Sequence, residues 1–233
     1  MTKLCFDYGH GGIDPGAIYK GRRESEDVLN LGREVAKEMR RHGVIVDETR
    51  TSDLTMSLID RSDFANENKY DYFISFHRNA FKPEAASGVE SYIFSNAKSQ
   101  TRQLAEKLQQ ALVTTGFDDR GVKTANFYVL KATKAPAILL EIGFIDNGQD
   151  NALFDTKRVE IVKAISGAIL SQLGLAYIEE SQNDLEKALG VLVRNGIIKS
   201  PEYWLENAQA GKTVKGEYAG LLIEKITEYI SSQ

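Results

Sequence analysis

The chain has 233 residues, 42% of them hydrophobic, enough to bury one sizeable core and a small appendage. Its net charge of -4 leaves no basic footprint, which argues against nucleic acid as a partner. The single cysteine, Cys5, excludes a disulfide framework, and no apolar run approaches the ~20 residues of a membrane span.

Starting at the N-terminus, Leu4–Tyr8 has strand composition and runs straight into the glycine-rich stretch FDYGHGGIDPGA, which ends at Ala17. No leader-like apolar segment precedes it, so the expectation is synthesis in the cytoplasm without a signal peptide and no insertion into a membrane. Val28, Leu31, Val35 and Met39 then share one face of a helix that starts near Glu24 and stops at Gly43. Val44–Asp47 reads as a strand, Ser57 to Asn66 as a short helix, and Tyr72–Phe76 and Val89–Phe94 as strands. Leu104, Leu108, Ala111 and Leu112 mark a helix before Gly116; Phe127–Leu130 and Ala137–Leu140 read as further strands, and a helical pattern runs from about Thr156 to Leu173. Strands alternating with helices predict an α/β fold, a mostly parallel twisted sheet covered by helices on both faces.

The composition changes at Tyr177–Asp184, YIEESQND, a polar and acidic stretch expected to be a linker. Beyond it, Leu185, Ala188, Leu189 and Leu192 form one helical stripe, and Tyr218, Leu222, Ile226 and Ile230 another. The expected organisation is a larger α/β domain over 1–176, a linker over 177–184 and a small all-helical C-terminal domain over 185–233. A unit that small is marginal alone; formation of a homodimer and packing on the larger domain are roles open to it, and Trp204 is expected to fill its small core, with a sugar-binding surface as the rival.

In parallel sheets, functional groups gather at the carboxyl edge. Two of the three histidines, His10 and His77, each follow an apolar run there, and Glu141 follows another. The third, His42, precedes Gly43 at a helix C-terminus, where an imidazolium complements the helix dipole. Two histidines with one carboxylate suit zinc and leave a position open for water. Asp7, Asp14, Glu24, Glu26 and Glu141 are the carboxylates near these strand ends. Glu24, in a first helical turn after the glycine-rich loop, can reach His10, whereas Glu26 points to another side and Asp14 shapes the turn with Pro15 and Gly16. Glu141, at the mouth of an apolar strand, is expected to have a raised pKa suited to acid–base work. Competing chemistries lack their motifs: Asp14 stands where a dinucleotide fingerprint needs glycine, and neither a phosphate loop nor a serine elbow is present.

The combined pattern resembles the zinc-dependent N-acetylmuramoyl-L-alanine amidases of the family-3 type, which cut bacterial peptidoglycan. The resemblance covers about residues 2 to 175 and rests on DYGHGGIDPGA, Glu24, TRTSDLTMSLIDRSDFAN ending at Asn66, YFISFHRNA, RGVK ending at Lys123, and PAILLEIGFIDN ending at Asn147. It implies one zinc ion per chain held by His10, Glu24 and His77, Glu141 as the catalytic glutamate, and hydrolysis of the amide between N-acetylmuramic acid and L-alanine. Arg78, where the family usually has a small residue, and Asn79 are expected as substrate contacts. The stretch from Asn79 to Gly88 is too short for an occluding helix, which implies an open site. With no leader in the sequence, a phage or prophage endolysin is the expected setting, acting on the wall after release. A zinc peptidase on the stem peptide and a non-catalytic wall-binding protein are the alternatives.

Overall fold

The computed structural model describes residues 2–179, 182–209 and 211–231. The chain divides into two compact units, Met1–Tyr177 and Ile178–Gln233. In the first unit the described elements are β1 (Lys3–Tyr8), β2 (Ile18–Tyr19), β3 (Arg22–Arg23), α1 (Glu24–Arg41), β4 (Ile45–Glu48), α2 (Leu58–Glu67), β5 (Tyr72–Asn79), β6 (Val89–Ile93), α3 (Ser99–Val113), β7 (Asp119–Thr124), α4 (Tyr128–Ala132), β8 (Ala137–Phe144), α5 (Gly148–Thr156) and α6 (Arg158–Gln172).

One six-stranded sheet in the order β4-β1-β5-β8-β6-β7 organises this unit. The first four strands of that order are mutually parallel, whereas β6 runs antiparallel to β8 and parallel to β7. Alternation along β1 sorts its side chains by face. Leu4, Phe6 and Tyr8 enter a large apolar cluster with Ile74, Phe76 and Leu140 and with residues of α1, α3 and α6. Cys5 enters a smaller cluster with Phe73, Leu139, Ala65 of α2 and Leu130 of α4. Each fully buried Leu, Ile or Phe among them contributes about 1.5–3 kcal/mol, so the two clusters fix the sheet between its helical layers.

Local chemistry sets the helix ends. Acidic Glu24, Glu26 and Asp27 open α1 and basic Arg40 and Arg41 close it, complementing the helix dipole. His42 caps α1 as the sequence implies, its Nδ1 lying 2.9 Å from the Glu38 carbonyl. Ser57 and Asp60 form a reciprocal capping box at the start of α2, and the Asn147 side chain accepts from Gln149 and Asp150 at the start of α5.

Among the departures from the sequence expectation, three concern the main sheet and its neighbours. Phe127–Leu130 is no strand: Tyr128–Ala132 is the short helix α4, because an apolar run of four residues carries no period that separates strand from helix. Strand β7 was not anticipated, since DRGVKT is an edge strand without a buried face. Finally, β5 and β8 extend through Asn79 and Phe144, which places His77 and Glu141 inside strands rather than after them.

In the second unit, α7 (Gln182–Arg194), α8 (Pro201–Asn207) and α9 (Gly216–Ser231) gather around buried Leu189, Ile197 and Ile198. Trp204 packs against this cluster and meets Tyr203 edge-to-face at 5.8 Å. Residues 180 and 181 of the expected linker lie outside the described residues, and α7 already begins at Gln182. No helix among the described residues is long and apolar enough to cross a membrane.

Candidate metal centre

Three elements bring the expected ligands together at the carboxyl edge of the sheet. The loop after β1 delivers His10, the first turn of α1 delivers Glu24, and β5 delivers His77. Their donor atoms all lie within 4.8 Å of one another. His10 Nε2 is 3.1 Å from Glu24 Oε2, and His77 Nδ1 is 2.9 Å from Glu24 Oε1.

Backbone geometry explains the glycines between these groups. A Cβ on Gly9 would come within 2.2 Å of the His77 ring, so only glycine lets the loop pass. Gly16 sits at φ +67, and a Cβ there would lie 2.6 Å from Glu24 Oε2. His10 itself holds φ 60, a left-handed conformation that costs a non-glycine residue roughly 1–2 kcal/mol.

Two of the three ligands are oriented by further partners. Asp14 Oδ2 lies 2.8 Å from His10 Nδ1, turning Nε2 toward Glu24, while Asp14 Oδ1 accepts from Gly16 N at 3.0 Å. The turn role read from the sequence is therefore present together with a second one. Glu24 accepts from Ala17 N at one oxygen and from Arg78 N at the other, both at 3.0 Å. Burial works against its charge, yet the hydrogen bonds and positive charge of the two imidazoles hold its carboxyl well below the usual range. Burial opposes the proton on His10, but Glu24 and Asp14 outweigh it and push that imidazole up to about 9.

These residues fit zinc. Two imidazoles and a carboxylate are a donor set that zinc takes, and one ligand atom from each lies within 4.8 Å of the others, near enough for side-chain adjustment to reach the roughly 3.3–3.6 Å between donors of a tetrahedral ion. The charge the carboxylates draw onto the imidazoles is what a divalent cation would supply in the same space.

Glu141 stands opposite His77 in the parallel β5–β8 register and opposite Glu90 in the antiparallel β8–β6 register. Burial pushes its carboxyl up to about 7; His77 pulls the other way, and Glu24 and Glu90 add to the rise. Its Oε2 is buried and has no hydrogen-bond partner among the described residues. A cavity of about 440 Å³ opens here, lined by His10, His77 and Glu141 and walled by Met56, Leu58, Phe127 and Tyr128.

Arg78 requires a correction. Its residue is 2% exposed; Nη1 donates to Asp27 Oδ2 at 2.6 Å, Nη2 to Asn151 Oδ1 at 2.8 Å, and its guanidinium lies 4.1 Å from the Phe154 ring centroid. Strand alternation turns it away from His77 into the α1 side of the sheet, so it braces α1 and α5 and does not reach a substrate in this cavity. Asn79 closes β5; its Oδ1 accepts from Ala80 N at 2.8 Å within the turn that follows.

Sequence reasoning missed the groups beneath the loop. Arg50 donates to the carbonyls of Tyr8, Gly9 and Ser25, and Arg61 to those of Tyr8 and His10. Arg61 also pairs with fully buried Asp7 at 2.8 Å, and Thr49 and Ser75 donate to the same carboxylate. Both arginines lie within or beside TRTSDLTMSLIDRSDFAN, so the signal was present without a stated role. Other motif ends are structural: Asn66 joins α2 to the carbonyl of Ala132 and the amide of Lys134, and Lys123 pairs with buried Glu90 at 2.8 Å.

Comparison with known proteins agrees with this architecture. Residues 4–171 match the family of N-acetylmuramoyl-L-alanine amidases. The amidase CwlM of Bacillus licheniformis is 39% identical over 155 residues, covering 64% of this chain and 59% of that protein. The endolysin of Bacillus phage SPP1 is 39% identical over 159 residues, covering 66% of this chain and 59% of that one. The chain thus spans about three fifths of the length of these curated relatives. Among solved structures, an N-acetylmuramoyl-L-alanine amidase from Clostridium difficile 630 superposes with TM-score 0.71 at 30% identity, covering 74% of this chain and 97% of that one.

Proposed function

This chain belongs to the N-acetylmuramoyl-L-alanine amidase family, and from that premise we propose that it hydrolyses the amide between N-acetylmuramic acid and L-alanine in bacterial peptidoglycan, with one zinc ion held by His10, Glu24 and His77. The observation that carries the proposal is one cavity lined by His10, His77 and Glu141, with Glu24 beside both histidines and a buried Glu141 oxygen that has no partner among the described residues.

When bound, zinc supplies Lewis acidity at the scissile carbonyl and lowers the pKa of a coordinated water. The protein's part is protonic and positional. Glu141, raised to about 7, accepts a proton from the attacking water at neutral pH and returns it to the departing alanine nitrogen. Asp14 keeps His10 turned toward the metal position, and the Arg50–Arg61 pair holds the carbonyls of the loop that carries it.

The experiment is digestion of purified peptidoglycan with and without a chelator, followed by analysis of the new termini. New L-alanine amino termini without new reducing sugars, abolished by chelator and restored by zinc, are expected. Other amino termini would assign a stem-peptide peptidase instead. Glu141→Gln is expected to lose at least about 100-fold in turnover while still binding zinc, since a general acid–base group contributes about 10²–10⁴-fold. A variant keeping more than about a tenth of the wild-type rate would remove Glu141 from that role.

A phage-type endolysin role is the finer reading; its support is the likeness to the SPP1 endolysin. For the second unit, attachment to the wall is the proposed role, and self-association through it is the rival that sedimentation of the intact chain tests.

A further inference from the structure

The cavity beside the metal ligands has more apolar wall than the bond to be cut requires. Met56 and Leu58 from the start of α2, and Phe127 and Tyr128 from the start of α4, line the same cavity as His10, His77 and Glu141. Leu58 is 55% exposed, Phe127 41% and Tyr128 43%. Two consecutive aromatic rings and a leucine left half in water at a reactive cavity form the kind of apolar patch that marks a binding surface.

The Phe127 ring and the backbone that carries both aromatics are held in place from behind. The Phe127 ring packs on Tyr92 with centroids 5.2 Å apart, and the Tyr92 hydroxyl is engaged by buried Glu90. The next residues of the run, Val129 and Leu130, are buried in the smaller apolar cluster, which fixes α4 against the sheet. The side chain of Asn66 ties the far end of α4 to α2 through the Ala132 carbonyl at 2.9 Å. A wall whose backbone is fixed in this way needs little further ordering when a ligand arrives.

Its chemistry selects the ligand. On the amine side of the scissile bond the first residue is alanine, whose single methyl needs no such wall. On the carbonyl side stands a sugar in a repeating strand, each ring carrying apolar C–H faces and a polar rim. A flat aromatic face takes the first and leaves the second to water.

We propose that Phe127 and Tyr128 form a platform for the sugar rings of the glycan strand, so that the favoured substrate is a stem peptide still attached to an extended glycan rather than a small soluble muropeptide. This inference rests on the amidase reading above, and its consequence is that affinity grows with glycan length until the wall is covered.

The test compares glycans of defined length, from one disaccharide upward, all carrying the same stem peptide. For the wild type, kcat/KM is expected to rise about tenfold with length, carried by KM. Phe127→Ala and Tyr128→Ala are each expected to remove most of that rise, again in KM, and Phe127→Trp to restore it. Hydrolysis at equal kcat/KM for every length would overturn the platform while leaving the amidase intact. So would alanine variants that lose kcat at all lengths with KM unchanged. Absence of new L-alanine amino termini at any length would overturn the amidase reading and the platform with it.

Discussion

His10 shows how much a single side chain is asked to do. It adopts a left-handed backbone, sends one ring nitrogen to Asp14 and turns the other toward Glu24. Removing the orienting carboxylate is therefore expected to matter although Asp14 is no ligand. Asp14→Ala should weaken zinc binding by about 10–100-fold, as read by competition with a chromogenic chelator; affinity equal to wild type would show that the glycine-rich loop alone orients the ring. Arg78 makes the opposite case. Its guanidinium is enclosed by Asp27, Asn151 and Phe154, and burial draws its pKa down to about 10 despite the attraction of Asp27. Arg78→Met should cost about 3 kcal/mol in denaturant unfolding, because it deprives a partly buried carboxylate of one of its two cations, and should leave KM of the remaining folded enzyme unchanged. A raised KM without loss of stability would return Arg78 to the substrate.

At the scale of elements, the site is tied to the sheet by the Asp7 network, which joins β1 to α2, β5 and the residue that follows β4. Burial alone would raise the Asp7 carboxyl, but Arg61, Ser75 and, more weakly, His77 hold it below the usual range. The folded state thus favours ionised Asp7 more than the unfolded chain does. Its contribution to stability is fully present above the unfolded value, about pH 3.9, and is lost as the pH falls through the lower folded value. Urea midpoints measured from about pH 6 downward should fall more steeply for the wild type than for Asp7→Asn; parallel slopes would show that other groups govern acid unfolding. The same element-scale view explains α4. An apolar run of four residues was read as a strand, but Val129 and Leu130 are buried while Phe127 and Tyr128 stay half exposed, a division that a short helix achieves and a fully buried strand does not.

Two units with separate apolar clusters make up the whole molecule. The residues that form the metal centre, its supporting network and its cavity all belong to the first. Ending the chain at Tyr177 is therefore expected to leave zinc binding and cleavage of a soluble muramyl peptide within about twofold of the full-length protein, while sedimentation with purified cell walls falls. Unchanged sedimentation would reject wall attachment by the second unit. Trp204 packs against that unit's own cluster, the position favoured over a sugar-binding surface, so its replacement by alanine would test the fold of the unit rather than its ligand.

The sequence by itself determined the alternation of strands and helices, the carboxyl-edge position of His10 and His77, Glu24 in a first helical turn and Glu141 beside an apolar run. These follow from hydrophobic period, glycine placement and ligand chemistry, which are local properties of the chain. Only the tertiary structure decided which face each polar strand residue takes. His77 and Arg78 are neighbours in sequence, yet strand alternation sends one to the metal centre and the other into the packing of α1 and α5. Nor was the edge strand β7 legible, or the antiparallel pairing that sets Glu90 against Glu141, because pairing depends on residues far apart in the chain. The arginines that hold the loop carbonyls were hidden for the same reason: an unsatisfied carbonyl and the distant guanidinium that satisfies it acquire meaning only once folding has brought them together.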